Sequence, residues 1–389
     1  MSEHKQIDKL KKECYDLFKF KDNLTEYDKA LLNIEKKVTE LKLDNIVEPL
    51  ELSFLLQFHA REFPSSLEEF QRHVDKVLGV KKISFFFQLP ELVGFPDNYN
   101  IGYGKFRKFT SLPKIVRDLA TGLTKGKVGQ VRTERERIQT MYIREIRIPL
   151  NTNTGCWLEI EKSGVSSFIV LENALQSAEM SLDILRIIRP HIRISLPQYV
   201  ISKSSNERKA FFNALNIELY KYHFDHQEQE LIDRLNTLIV NPRSELEKRV
   251  LNALQFYRIG RNFSPEDQAL FYYVAAIENL ILGKNDRDVL RWRFAEKAAF
   301  LLEGDLTGRL EIVNAFKSLY DARSTIAHGI MRKSENRKIS QAKESLIKII
   351  IRILELIDKK GLISVSSEGK NNSLDEYVDQ IKYSGKPLM

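Results

Sequence analysis

The sequence predicts an α+β protein, predominantly helical, in which a mixed region of helices and strands precedes an all-helical bundle. Three observations predict it. Apolar residues recur at helical spacing over residues 1–80 and again from about 206 onward. Between about 80 and 165 the pattern changes to short apolar runs, partial alternation and Gly/Pro punctuation. The chain has 389 residues, 43% hydrophobic and 29% charged, enough apolar material for two or three domains of ordinary globular type.

The elements follow in order. Leu10, Cys14, Leu17 and Phe18 recur at helical spacing, as do Leu32, Ile34, Val38, Leu41 and Leu43 more loosely. Ser65 or Ser66 is expected to cap a further helix, with Glu68 and Glu69 in its first turn. Ile83–Leu89 reads as a strand, and Gly/Pro punctuation continues through Pro96. Ile143–Leu150 partly alternates apolar with charged residues. After the turn at 151–155, Cys156–Glu161 reads as its hairpin partner. Leu171, Leu175, Ala178, Leu182 and Leu185 mark a helix over 165–189, broken by Pro190. Pro197–Ser205 reads as a linker.

The remaining helices are expected over 244–261, 264–282, 287–302, 307–328 and 340–359. Ser264-Pro265-Glu266-Asp267 is a start signal, and Gly283, Gly329 and Gly361 are stops. The expected organisation is a mixed N-terminal region, 1–205, with a small β-rich basic segment at about 80–165. A helical bundle over 206–365 follows, and a polar, loose tail over 366–389.

Net charge is +8. Residues 101–150 hold twelve Lys or Arg against four acids, so this window matches the whole excess. Such a segment is the electrostatic footprint of a polyanion binder, and equally of a solvated basic loop. Its candidate nucleic-acid contacts are Lys105, Arg107, Lys108, Lys125, Lys127 and Arg132. No run of eighteen apolar residues suggests a membrane span, and the charged N-terminus lacks the apolar centre of a signal peptide. Cys14 and Cys156, the two cysteines, make neither a disulfide framework nor a zinc cluster, so a cytoplasmic address is expected.

Several motifs invite chemistry and fall short of it. Gly122–Val128 has the wrong spacing for a phosphate loop. His223, His226 and Glu230 are spaced to share a helix face and touch one metal ion, but a solvated face is the better reading, and no metal or cofactor is expected. His59 and His73 sit among helical residues and read as structural or surface groups, and His191 lies in a basic turn over 189–193 that suits phosphate contact and plain surface equally. Arg323 and His328 are different. Arginine forks onto phosphate oxygens, and histidine exchanges protons near neutral pH. Their five-residue step turns about 140° around a helix, so the two do not share a stripe. His328 followed by Gly329 also makes an ordinary helix stop.

Context adds to spacing. Leu251–Tyr257, Phe271–Leu280 with Glu278, Arg293–Ala299 and Leu319–Gly329 together resemble the HEPN superfamily, and within it the Apea-like group. The last segment fits the family's Arg, four to six residues, His signature, including the flanking Tyr320-Asp321. Many nuclease members carry Asn or Asp after the arginine; this chain carries Ser324, which still hydrogen-bonds.

The resemblance covers about a third of the chain, from about 245 to 360. It implies an all-helical HEPN-type bundle that dimerises and acts as a metal-independent endoribonuclease of a microbial defence, abortive-infection or toxin type. Arg323 and His328 are then the catalytic pair, with Ser324, Glu278, Asp321 and Tyr320 in support. The implied partners are RNA, a second copy of the chain, and an antitoxin or phage-derived trigger, with no membrane. A non-catalytic module gripping nucleotide or RNA is a second reading, and a DNA-binding regulator built on the basic segment a third.

Overall fold

The computed structural model describes residues 3–20, 23–44, 46–60, 66–89, 92–114, 116–118, 156–190, 194, 199–203, 208–212, 222–262, 266–283, 286, 289–329, 336–366 and 372–384. It is predominantly helical α+β, as the sequence predicts. The chain divides into two compact units: Met1–Glu179 with Ile192–His226, and Met180–His191 with Gln227–Met389.

The first unit opens with helices α1 (Glu3–Asp16), α2 (Leu24–Glu40), α3 (Pro49–Ala60) and α4 (Leu67–Val77). Leu10, Cys14, Tyr27, Val38, Leu56, Phe70 and Val74 form their common core. Ser66 caps α4 by accepting the Glu69 N–H at 3.2 Å.

A six-stranded antiparallel sheet follows, in the order β3-β4-β5-β1-β6-β7. Its strands are β1 (Lys81–Leu89), β3 (Tyr99–Ile101), β4 (Gly104–Arg107), β5 (Cys156–Gly164), β6 (Tyr199–Lys203) and β7 (Arg208–Phe212). Leu92–Val93 (β2) pairs separately with Tyr222–His223 (β8). Phe85, Phe86 and Phe87 are all buried, as are Ile160, Glu159 and Leu158 opposite them and Trp157 opposite Gln88. Burial on both faces explains why β1 reads as an unbroken apolar run rather than an alternation.

Three expectations are corrected here. The linker expected over 197–205 contains β6, which pairs with β1, so the domain boundary does not fall at 205. The stretch from 206, expected to be all helix, contains β7 and β8. The hairpin partner of β5 is not a single adjoining strand: β1 lies on one edge and β4 on the other over Trp157–Ile160. Ile143–Leu150 itself lies outside the described residues.

Helix α5 (Ser167–Ile188) runs from the first unit into the second. The second unit then holds α6 (Gln229–Val240), α7 (Glu245–Asn262), α8 (Glu266–Ile281), α9 (Leu290–Leu302), α10 (Leu306–Ala327), α11 (Asn336–Lys360) and α12 (Leu374–Ser384). Buried Val250, Leu254, Val274, Ile277, Phe294, Ala298, Phe316, Ile350 and Ile353 form its core. The expected loose tail is a correction as well. Residues 374–384 form α12, which buries Leu374, Val378 and Ile381 at helical spacing. Among the described residues no helix is long and apolar enough to cross a membrane.

Candidate active site

The candidate site lies where α8 meets the C-terminal half of α10. Phe316 and Leu319 are the buried residues of α10. Arg323 stands four residues beyond Leu319 and seven beyond Phe316, so it continues their stripe toward the bundle. There its Nη2 lies 3.1 Å from Glu278 Oε2, and the guanidinium stacks 5.1 Å from the centre of the Phe271 ring. Both partners sit on α8, where Leu270, Val274 and Ile277 are buried. That packing fixes α8's rotation and so aims Glu278 at Arg323.

The pair is mostly withdrawn from water, with Arg323 27% and Glu278 17% exposed at the side chain. It is also incompletely satisfied: Arg323 Nε and Glu278 Oε1 are buried with no hydrogen-bond partner among the described residues. Burial pushes the Glu278 carboxyl above its ordinary range, and the Arg323 charge pulls it only partly back. The Tyr320 hydroxyl is pushed up as well, first by burial and then by the Glu278 charge.

A stability consequence follows for Glu278. An acid whose pKa is higher folded than unfolded binds more protons when folded, so stability falls as pH rises through the window. Above the ordinary value of 4.5 the buried carboxylate therefore costs stability. In urea unfolding, the Glu278→Gln variant is expected to lose less stability than the parent as pH rises above 4.5. Parallel profiles for the two proteins would refute this.

His328 points elsewhere. It is the C-cap of α10 and exposed, with its N–H donating to Ser324 O at 3.1 Å. Gly329 follows at φ 76°, in the left-handed region that glycine tolerates. The helix stop expected from the sequence is therefore present. His328 shares its stripe with Asp321, seven residues before it, and not with Arg323.

Asp321 is also committed elsewhere, at 2.6 Å from Arg291 Nη2 on α9. The supporting set thus divides. Glu278 and Tyr320 lie with Arg323, whereas Asp321, with Ser324 between it and His328, follows the exposed stripe. Phe271 and Arg291 had no assigned role in the sequence reading. Phe271's signal was its place seven residues before Glu278 on one helix face.

The other expected sites fare differently. Arg107 is bound to Glu159 at 2.8 Å and to the Ser111 carbonyl at 2.7 Å, and Lys105 lies 3.6 Å from the same Glu159. A guanidinium already neutralised by a buried carboxylate has little to offer a phosphate. Lys108 is exposed, while Lys125, Lys127 and Arg132 lie outside the described residues, as does Gly122–Val128. His223, His226 and Glu230 fall on β8, a 3-10 turn and the first turn of α6, so the shared helix face expected for them does not exist.

No family model matches the chain, and neither does any curated protein or solved structure.

Proposed function

We propose that the chain is a metal-independent endoribonuclease of HEPN type, active as a homodimer. The observation that carries this is the contrast between the two motif residues. Arg323 is held in place by Glu278 and Phe271, while His328 is exposed at the end of the same helix. A positioned guanidinium and a solvent-facing imidazole, brought together across two chains, are what phosphodiester cleavage asks for.

RNA brings its own nucleophile. His328 takes the proton from a 2′-hydroxyl, the 2′-oxygen attacks phosphorus, and the bond to the 5′-oxygen breaks. His328 of the partner subunit returns a proton to that leaving oxygen. Arg323 binds the non-bridging oxygens, where negative charge builds. A cyclic phosphate spanning the 2′- and 3′-oxygens remains on one product. Because Arg323 and His328 lie about 140° apart on one helix, convergence from two chains meets the geometry better than one chain does.

The test is incubation of pure protein with RNA in excess EDTA. The expected result is cleavage with 2′,3′-cyclic ends, lost in Arg323→Ala and His328→Ala. Undiminished cleavage in both variants would sink the reading.

One observation favours a second reading. The Arg323 guanidinium is already engaged by Glu278. If that engagement is permanent, the domain grips phosphate without cutting it. RNA binding with intact substrate after long incubation is the result that separates the two.

A further inference from the structure

This inference rests on the RNA-directed reading above and concerns how the strand reaches His328. The chain has two tryptophans. Trp157 is fully buried, whereas Trp292, in the first turn of α9, is 46% exposed. Val289 through Arg293 are all exposed around it.

Two contacts fix where this turn lies. Lys317 Nζ sits 4.0 Å from the centre of the Trp292 ring, and Arg291 bridges to Asp321. Lys317, Asp321, Ser324 and His328 are spaced four, three and four residues apart, so they share one face of α10. At 1.5 Å per residue, His328 lies about 16 Å along the helix from Lys317. An exposed aromatic ring, two cations and the candidate histidine therefore line one side of the α9–α10 hairpin. Arg293 is turned away, toward Asp286 and Glu296.

We propose that Trp292 is a base-stacking platform for single-stranded RNA, with Lys317 and Arg291 neutralising the adjoining phosphates, so that the strand runs along α10 to His328. Exposed aromatic rings beside cations are how proteins hold single strands, because every base has a stackable face. The contacts now present are of an exchangeable kind. Arg291 and Asp321 are each about half exposed, at 52% and 54%, and exposed pairs are weak. Lys317 is half-buried, but the ring beneath it is exposed, and a cation over an exposed ring is held weakly, so a phosphate and a base can displace both the acidic and the basic partner.

The experiment uses the full chain carrying His328→Ala to stop cleavage, titrated with a short single-stranded RNA of mixed sequence. Tryptophan emission and anisotropy are both followed. RNA is expected to quench emission from Trp292, since Trp157 is enclosed. Adding Trp292→Ala is expected to weaken binding by about 5- to 100-fold, and Trp292→Tyr to recover most of it. The proposal is overturned by equal binding in the Trp292→Ala variant, or by no RNA binding in the parent. Exposed Val289 and Leu290 also suit a contact between proteins. If the loss of binding comes with a loss of dimer mass in sedimentation, the patch is a contact between copies and the proposal is likewise overturned.

Failure here is distinguishable from failure of the ribonuclease reading. If wild-type protein cuts RNA and the single Trp292→Ala variant binds and cuts equally well, only this inference falls. Trp292-dependent binding without any cleavage by wild-type protein removes only the ribonuclease.

Discussion

Replacing His328 with alanine is expected to lower RNA cleavage by about 10²–10⁴-fold, the contribution of a positioned general acid or base. Folding stability should hardly change, because His328 is an exposed cap residue whose backbone hydrogen bond survives the substitution. Cleavage assays beside urea melts separate these effects. Arg323→Ala is expected to cost about 10²–10³-fold in rate, and some stability as well. Its removal leaves Glu278 in a buried position with no opposing charge. Arg323→Lys retains the charge but loses the fork, so it should restore stability better than rate.

Mixing the two alanine variants is the sharper experiment. If Arg323 of one chain works with His328 of the other, half of the sites in a mixed dimer keep that pair and lack only the second histidine, so activity rises above that of either variant alone while staying below the parent's. A site contained in one chain recovers nothing on mixing. An inactive mixture of stably dimeric variants would therefore overturn the two-chain site.

Lys297→Ala is expected to destabilise the second unit by about 3–5 kcal/mol, the usual consequence of removing one member of a buried ion cluster. Lys297 is 3% exposed. Its Nζ lies 2.6 Å from Asp286 Oδ2 and 2.6 Å from Asp375 Oδ1. Asp286 also accepts the Gly283 N–H at 2.7 Å, so one ammonium ties the end of α8, α9 and the start of α12 together. Burial pushes the Asp375 carboxyl up even with Lys297 beside it, so losing the cation is costly. Lys382→Ala is the control. Its 2.8 Å bridge to Glu296 joins the same two helices near the surface, and such pairs contribute about 0–1 kcal/mol. Equal urea midpoints for the two variants would remove Lys297 from this role.

Helices with a clear apolar stripe were legible in the sequence to within a few residues. The reading of 307–328 corresponds to Leu306–Ala327, and that of 287–302 to Leu290–Leu302. Periodicity is a local signal, so it survives in isolation. The strands were harder. Tyr199-Val200-Ile201 carries strand-forming residues, yet neighbouring Pro and Ser residues suggested a linker. β3 and β4 are short and hidden among turn residues. The terminal helix was missed because Asp375, Glu376, Asp379 and Lys382 dominate its composition and mask Leu374, Val378 and Ile381.

The sequence by itself determined the helical bundle, the cap at His328 and Gly329, and the 140° between Arg323 and His328, because each depends on spacing along one element. Only the tertiary structure decided which acid meets Arg323. Asp321 is two residues away, but on a helix that step turns about 200°, which sends it to Arg291. Glu278 is 45 residues away in sequence and meets Arg323 because α8 packs on α10. The same holds for Trp292, whose place beside the His328 stripe depends on α9 lying against α10. Contacts between elements follow from which faces are buried together, and no single stretch of sequence contains that information.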